Sequence, residues 1–395
     1  MATMTRRDPD AERPPSLLHP VFLLLNLAFL LTYANVAFFY LYPVTLSGMG
    51  AGSHTIGWVM GVFSLAAVLS RPAMGILAAR RGEHQAMAVG VAVMLLASAC
   101  YPLIHVVGPA LYGIRVLHGL GFSAFVAGSF SAVALLFPGS RRAEAYSVVG
   151  ASLMAAAALA PPGGEILIAH FGFSALFASA CAAALLSCGA VLCAGRFAPA
   201  PRSVASPQGR YGPLLRDVSF VWLLVSTLLF AHCQSTVFNF LALEAKAKEA
   251  SAGIFFFVAF SLAIGILLTM GRVIDRRGKR RFLKLFYPPF ALGLFLLPVL
   301  LGPAGGFAPA LLFGAGMGFL FPVHNALAAG HGAPGEKASV MALFTAVYDS
   351  GFISGAVASG WIAGRIGLDG LFFATGGLAI LGFIVCLAAP IREDP

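Results

Sequence analysis

The sequence predicts an all-α integral membrane protein in which twelve transmembrane helices form two six-helix, pseudo-symmetric bundles. Three observations carry that expectation. Only 10% of the residues are charged and 59% are hydrophobic, whereas a soluble domain carries about a quarter of its residues as charges. Apolar stretches of about the 20 residues needed to cross a bilayer as helix recur along the chain with short interruptions. A basic, glycine-punctuated phrase occurs twice, half a chain apart, as MGILAARRG from Met74 and MGRVIDRRGKRR from Met270.

In order, the apolar runs cover 20–46, 54–79, 86–106, 109–137, 145–169 and 173–195 in the first half. In the second they cover 218–243, 251–272, 282–302, 306–330, 338–363 and 368–390. They are continuous rather than alternating, so they read as helices and not barrel strands, and lipid leaves no partner for unpaired backbone. Residues 1–17, polar and proline-rich, read as a disordered cytoplasmic tail. The following apolar run is too long for a signal-peptide core, which makes it an uncleaved first helix. The domains expected are a bundle over 18–195, a Pro/Ser/Arg-rich cytoplasmic linker over 196–217 and a second bundle over 218–391. Cys100, Cys181, Cys188, Cys193, Cys233 and Cys386 lie in or beside the runs without C-x-x-C spacing, and read as small packing residues, not disulfides or metal ligands.

Charge sets the expected orientation. Arg80 and Arg81, Arg141 and Arg142, Arg196 through Arg216, Arg276 through Lys284 and Lys337 all fall at every second gap. The opposite gaps hold Lys246 and Lys248, balanced by Glu244 and Glu249, and Arg365. The positive-inside rule then puts both termini in the cytoplasm, as an even number of crossings requires. The net charge of +10 reports orientation and contact with anionic lipid headgroups, with no nucleic-acid partner.

Each copy of the repeated phrase lies at the cytoplasmic end of the second helix of its half. Gly271, Asp275, Arg276, Gly278, Lys279 and Arg280 match the loop signature G-x-x-x-D-R/K-x-G-R/K-R/K of the major facilitator superfamily, which the chain resembles over nearly its whole length. The first-half copy keeps Gly75, Arg80 and Gly82 but has Ala79 in place of the acid and Glu83 and His84 in place of the bases. The resemblance implies the major facilitator fold, alternating access between two parallel repeats, and a role for these residues in latching the outward-facing state, with Asp275 set against the region of Arg141 and Arg142. The alternative is that these bases only determine topology. Two further stretches extend the resemblance. RVLHGLGFSAF carries an R-x-x-x-G pattern at Arg115 and Gly119, and APPGGE resembles the exporter pattern G-P-x-x-G-G at Pro161 and Gly164, departing from it at Ala160 and Glu165.

The acids well inside the runs are Asp349, in FTAVYDSGFISG, and Glu165. A half-buried carboxyl whose surroundings alternate can bind and release a proton, so Asp349 first and Glu165 second are the expected proton-coupling residues. A structural hydrogen bond is the alternative for Asp349, and an interfacial position for Glu165. The polar groups expected to line a solute cavity are Tyr33, Asn35, Tyr40, Arg115, His118, His232, Gln234, Thr236, Asn239, His324, Asn325 and Tyr348. Such side chains are costly in hydrocarbon unless they face protein or water; an interhelical hydrogen bond is the alternative for any one of them. Arg115, worth about 2.5–3.5 kcal/mol of insertion cost at membrane depth, faces a cavity or snorkels outward, and Arg71 is expected to snorkel to the cytoplasmic surface.

The first run contains no acid, which argues against a lipophilic-cation pump. An aromatic cavity tilted positive suits an amphipathic neutral or anionic solute. Proton-coupled efflux is the leading expectation, and uptake of a sugar or organic acid by symport the second; a non-transporting sensor is a third. Neither H-E-x-x-H nor G-x-S-x-G occurs, and the GHGAPG from Gly330 follows an apolar run, not a strand, so no enzyme is expected. No cofactor or metal is called for, the energy source implied being a transmembrane proton gradient. The resemblance further implies a monomer in a cell membrane, a bacterial inner membrane in the first instance.

Overall fold

A computed structural model of the chain describes residues 16–137, 139–197, 211–303, 306–332 and 336–388. The expected tail and linker fall largely outside these residues. The first apolar rod is α1 (Pro20–Phe38), a 3-10 turn (Phe39–Leu41) and α2 (Tyr42–Gly48). There follow α3 (Ser53–Arg81), α4 (Glu83–Cys100), α5 (Pro109–Leu136), α6 (Gly139–Phe171) and α7 (Phe173–Arg196). The second half holds α8 (Val218–Ala247), α9 (Ala252–Arg277), α10 (Lys279–Leu300), α11 (Phe307–Gly330) and α12 (Lys337–Ala388). Among the described residues, eleven helical rods are long and apolar enough to cross a membrane, with α1 and α2 counted as one. The separate spans expected at 338–363 and 368–390 are one element, α12, interrupted at Gly367 alone.

That interruption extends the sequence duplication. Gly82 (φ 91°) divides α3 from α4 and Gly278 (φ 90°) divides α9 from α10. Gly172 (φ 76°, ψ −179°) divides α6 from α7, and Gly367 (φ 78°, ψ 175°) breaks α12 at the corresponding place in the second half. Only glycine holds such a φ without strain, so one residue redirects the chain with no loop.

Helices pack mainly within their own half. α1 lies on α6 and α7, α4 on α5 and α7, and α3 on α5; α8 lies on α12, α10 on α11 and α12, and α9 on α11. Contact between the halves runs chiefly along two seams, α3 on α12 and α6 on α9. Each half is also tied by a buried polar knot. In the first, His118 of α5 bonds Asn35 of α1 (2.8 Å) and Tyr101 (3.3 Å), and Asn35 donates to Ser98 Oγ (2.9 Å) and the Ala180 carbonyl (2.8 Å). In the second, His324 of α11 bonds Ser226 of α8 (2.8 Å), which also bonds Tyr287 of α10 (2.9 Å). Hydrogen bonds between membrane helices contribute about 0.6–2 kcal/mol each, enough to hold register where lipid supplies no hydrophobic drive.

Candidate functional site

The α3–α12 seam shows why the site lies where it does. A Cβ on Gly57 would stand 2.7 Å from the Ala356 carbonyl oxygen, one on Gly61 2.5 Å from Val357 Cγ2, and one on Gly360 2.6 Å from the Ser53 carbonyl oxygen. Backbones therefore touch at the end of the seam near Ser53. Asp349, Ile353, Ala356 and Gly360 recur at helical spacing on this face of α12. Gly351 and Gly355 lie on another face, where a Cβ would meet Ala231 and the His232 carbonyl oxygen of α8. The G-x-x-x-G thus seats α12 on its own half and leaves Asp349 turned toward the other.

There it meets Arg71, four turns along α3 from Gly57. Nη1 of Arg71 donates to Oδ2 of Asp349 in an ion pair joining the two halves, with the side chains 30% and 18% exposed. Arg71 does not snorkel as expected, because a carboxylate sits within its reach. Its Nε is buried without a hydrogen-bond partner. Beyond the pair, toward Arg80 and Arg81, a Cβ on Gly75 would meet nothing within 4 Å, and the same holds for Gly265 and Gly271 on α9.

Two tyrosines lie near the pair, each packed on a further aromatic ring. Tyr33 is within electrostatic range of Arg71 and Asp349, and its ring meets Phe122 of α5 at 5.3 Å. Tyr348 donates to Gln234 Oε1 of α8 (2.6 Å) and its ring lies 5.1 Å from Phe321 of α11. Toward the Ser53 end, Tyr40 stacks on Phe238 at 4.7 Å, and Phe238 meets Phe352 at 5.8 Å. Of the residues expected to form the site, Tyr33, Tyr40, Gln234, Tyr348 and Asp349 come together; Arg71 joins them unpredicted, and Phe122 and Phe321 pack on the two tyrosine rings. The spacing of Arg71 from Gly57 and Gly61 on one face of α3 was the available signal.

Other expected cavity residues are placed elsewhere. Asn35 and His118 belong to the buried knot of the first half. Arg115, 2% exposed, donates to the Val59 carbonyl of α3 (3.0 Å) and stands over the Phe63 ring at 5.0 Å. It neither snorkels nor faces the pair, since helix carbonyls and ring faces within the bundle receive its donors. His324 belongs to the second knot. Thr236 bonds Ser359 (2.8 Å), His232 bonds Ser354 (3.0 Å) and Asn239 bonds the carbonyl of Ser235 (2.7 Å), all within the second half. Asn325 is half-buried on α11.

Glu165 lies on the second seam. Ser251, whose Oγ caps α9 by accepting from the Ile254 N–H (2.9 Å), also donates to Glu165 Oε2 of α6. A Cβ on Gly253 would stand 2.5 Å from Pro162 Cα. Of the loop-signature residues, Gly75, Arg80, Gly271 and Arg276 are exposed, while Gly278, Lys279 and Arg280 are half-buried. The Asp275 side chain lies outside the described residues.

Comparison with known proteins identifies this architecture. A family model described as Major Facilitator Superfamily matches residues 24–349. The chain is 23% identical, over 84% of its length and 86% of the relative's, to the multi-drug resistance efflux pump PmrA of Streptococcus pneumoniae. Its fold is similar to those of nucleoside transporter NupG (TM-score 0.75, 14% identity, 93% and 99% of the two chains) and of a bacterial homologue of the human lysosomal transporter Spinster, inward-facing and unoccupied (0.72, 14%, 95% and 98%). It is also similar to that of the human organic anion transporter MFSD10 (0.65, 18%, 93% and 99%). This chain is a multi-pass membrane transporter, not an enzyme, and it belongs to the Major Facilitator Superfamily.

Proposed function

We propose that this transporter exports a small amphipathic organic solute, neutral or anionic, by alternating access coupled to protons through Asp349. The observation that carries the reading is the Arg71–Asp349 pair, set across the α3–α12 seam with Tyr33 and Tyr348 near it. Efflux is favoured by the relation to a pump named for multidrug efflux. In this reading the chain crosses a cell membrane, a bacterial inner membrane in the first instance, twelve times in two six-helix bundles, as a monomer among lipids with both termini cytoplasmic. The proton gradient supplies the energy, and no cofactor is needed.

Backbone-close approaches at the Ser53 and Ser251 ends of the seams, with open space about Gly75 and Gly271, support a form open to the cytoplasm. Asp275, with Gly271, Arg276, Gly278, Lys279 and Arg280, latches the opposite form, and Glu165 holds the outer gate closed. A neutral solute that donates a hydrogen bond to the Asp349 carboxylate competes with the proton there, which gives exchange. The second reading, uptake by symport, is favoured by the cation beside Asp349, because an anion drawn to Arg71 sets the carboxylate free to be protonated.

The test is reconstitution in liposomes carrying an internal pH-sensitive dye. Solutes of a neutral and an anionic series are expected to move protons on addition, and Asp349→Asn is expected to abolish that signal. Full coupling in Asp349→Asn overturns the role of that residue, and an absence of solute flux for every series overturns the transport reading.

A further inference from the structure

We propose that Arg71 is the receptor for the anionic group of an amphipathic monoanion, and that this anion and a proton occupy the Arg71–Asp349 site together. The inference rests on the second, symport form of the transport reading above and adds the cargo's charge, so that an inward proton gradient drives uptake of this cargo rather than its export.

The guanidinium is only partly used. It gives Nη1 to Asp349, its Nε is buried without a partner, and 30% of the side chain remains exposed. Arginine carries five N–H donors in a planar fork suited to carboxylate or sulfonate and stays charged at every accessible pH. Charge balance then selects the ligand. The empty pair is neutral. A monoanion at Arg71 together with a proton taken from water onto an Oδ of Asp349 is also neutral. A cation would have to displace a guanidinium that cannot lose its proton, and a dianion would leave a net negative charge at membrane depth, where uncompensated charge is costly. The rings of Tyr33 and Tyr348 near the pair, with Phe122 and Phe321 packed on them, supply cover for an apolar or aromatic body.

The surrounding groups leave the protonation to Asp349. Among the described residues, the titratable or charged side chains placed near Asp349 are Arg71 of α3, Tyr33 and Tyr348, with Tyr40 beside those two rings and His232 of α8 across from Gly351. His232 is bonded to Ser354 and Tyr348 to Gln234, and His324 of α11 is bonded to Ser226. Once an anion holds Arg71, the half-buried Asp349 has no other cation and takes up a proton. Anion alone or proton alone would leave an unpaired charge between the halves, so only the empty and the doubly loaded forms change face readily. For anionic cargo the coupling is therefore co-transport.

The test uses the purified full chain in neutral detergent with three probes: 2-naphthalenesulfonate, the neutral 2-naphthalenesulfonamide and the cationic 2-naphthyltrimethylammonium. Calorimetry in buffers of different ionisation enthalpy counts protons exchanged on binding. The expected result is uptake of about one proton per sulfonate bound, with weaker, proton-silent binding of the other two. Arg71→Gln should weaken the sulfonate about 10- to 100-fold and Arg71→Lys by less. Asp349→Asn should bind it without proton uptake. Thermal unfolding of each variant confirms folding, and Arg71→Lys serves where Arg71→Gln does not fold. Proton release, absence of proton exchange, undiminished binding in folded Arg71→Gln, or no sulfonate binding at all overturns the proposal. Proton-linked binding without sulfonate flux in liposomes would instead remove the transport reading and leave the site standing. Solute flux indifferent to Arg71 would do the reverse.

Discussion

The two seams between the halves are built alike at one end and differ in what they carry. At α3–α12 and at α6–α9, glycine lets backbone meet backbone, at Gly57 and Gly360 in one and at Gly253 in the other. The first seam then commits a full charge from each half, Arg71 to Asp349. The second, among the described residues, sets the Ser251 hydroxyl against the Glu165 carboxylate. Parting a hydrogen bond to a charged group costs about 1.5–3 kcal/mol, and water near a loop end replaces it. Parting an ion pair within a membrane leaves two charges that something else must neutralise. The comparison teaches that opening α6–α9 at this end exposes one hydrogen bond, whereas under the proposed mechanism α3–α12 parts across the pair only when both of its charges are answered.

Substitutions that strike each seam break or sharpen this contrast. The largest effect is expected from Gly57→Leu, whose side chain must enter the space of the Ala356 carbonyl and Gly360. Overpacking costs about 1–3 kcal/mol, which shifts the form closed at this end by roughly 10- to 100-fold. Labelling of a cysteine placed at Ser53 should rise accordingly, and transport should fall. Next comes the pair itself. Arg71→Gln or Asp349→Asn alone should destabilise by about 3 kcal/mol in unfolding measurements, and the double variant should recover much of that loss because no charge is left alone. Additive losses would show that the pair is not coupled.

The α6–α9 seam should respond less. Ser251→Ala removes both the cap of α9 and the donor to Glu165 and should cost about 1–2 kcal/mol. Glu165→Gln keeps an acceptor oxygen and should cost under about 1 kcal/mol. Equal losses at the two positions would mean the carboxylate charge itself matters there. The smallest expected effect is a pH dependence at the Ser251 end of the second half. Lys248 lies 2.8 Å from Asp369 and 3.2 Å from Glu244, and these carboxylates, Asp369 foremost, hold its ammonium above the ordinary lysine value. A raised folded value contributes stability that is complete below the ordinary lysine range and is lost as pH rises through the folded value. The alkaline part of the stability profile should therefore flatten in Lys248→Met.

The fold was legible because a membrane reduces the choices. Continuous apolar runs leave helix as the way to pair the backbone, and the RRG repeat marked the duplication that Gly82 and Gly278 then share in backbone conformation. The matching break at Gly172 and Gly367 escaped notice, since neither glycine sits in a polar loop that would announce a turn. For the site, Asp349 stands out in the sequence as an acid deep in an apolar run, and Tyr33 and Tyr348 as polar aromatics within such runs. Arg71 was misjudged by its distance from the basic end of α3. For Arg115, His118 and Asn35 the sequence left a cavity and an interhelical bond as alternatives, because a buried polar side chain looks alike in sequence in either setting.

Composition and the length of the apolar runs by themselves determined that this chain spans a membrane as helices, because that property depends on the solvent each residue must face, and the phrase repeated at Met74 and Met270 marked the duplication. The tertiary structure alone decided which polar groups answer each other. Partners such as Arg71 and Asp349, separated by most of the chain, meet only after helix rotation and close glycine packing have set the register between rods, and neither quantity is written in any single segment.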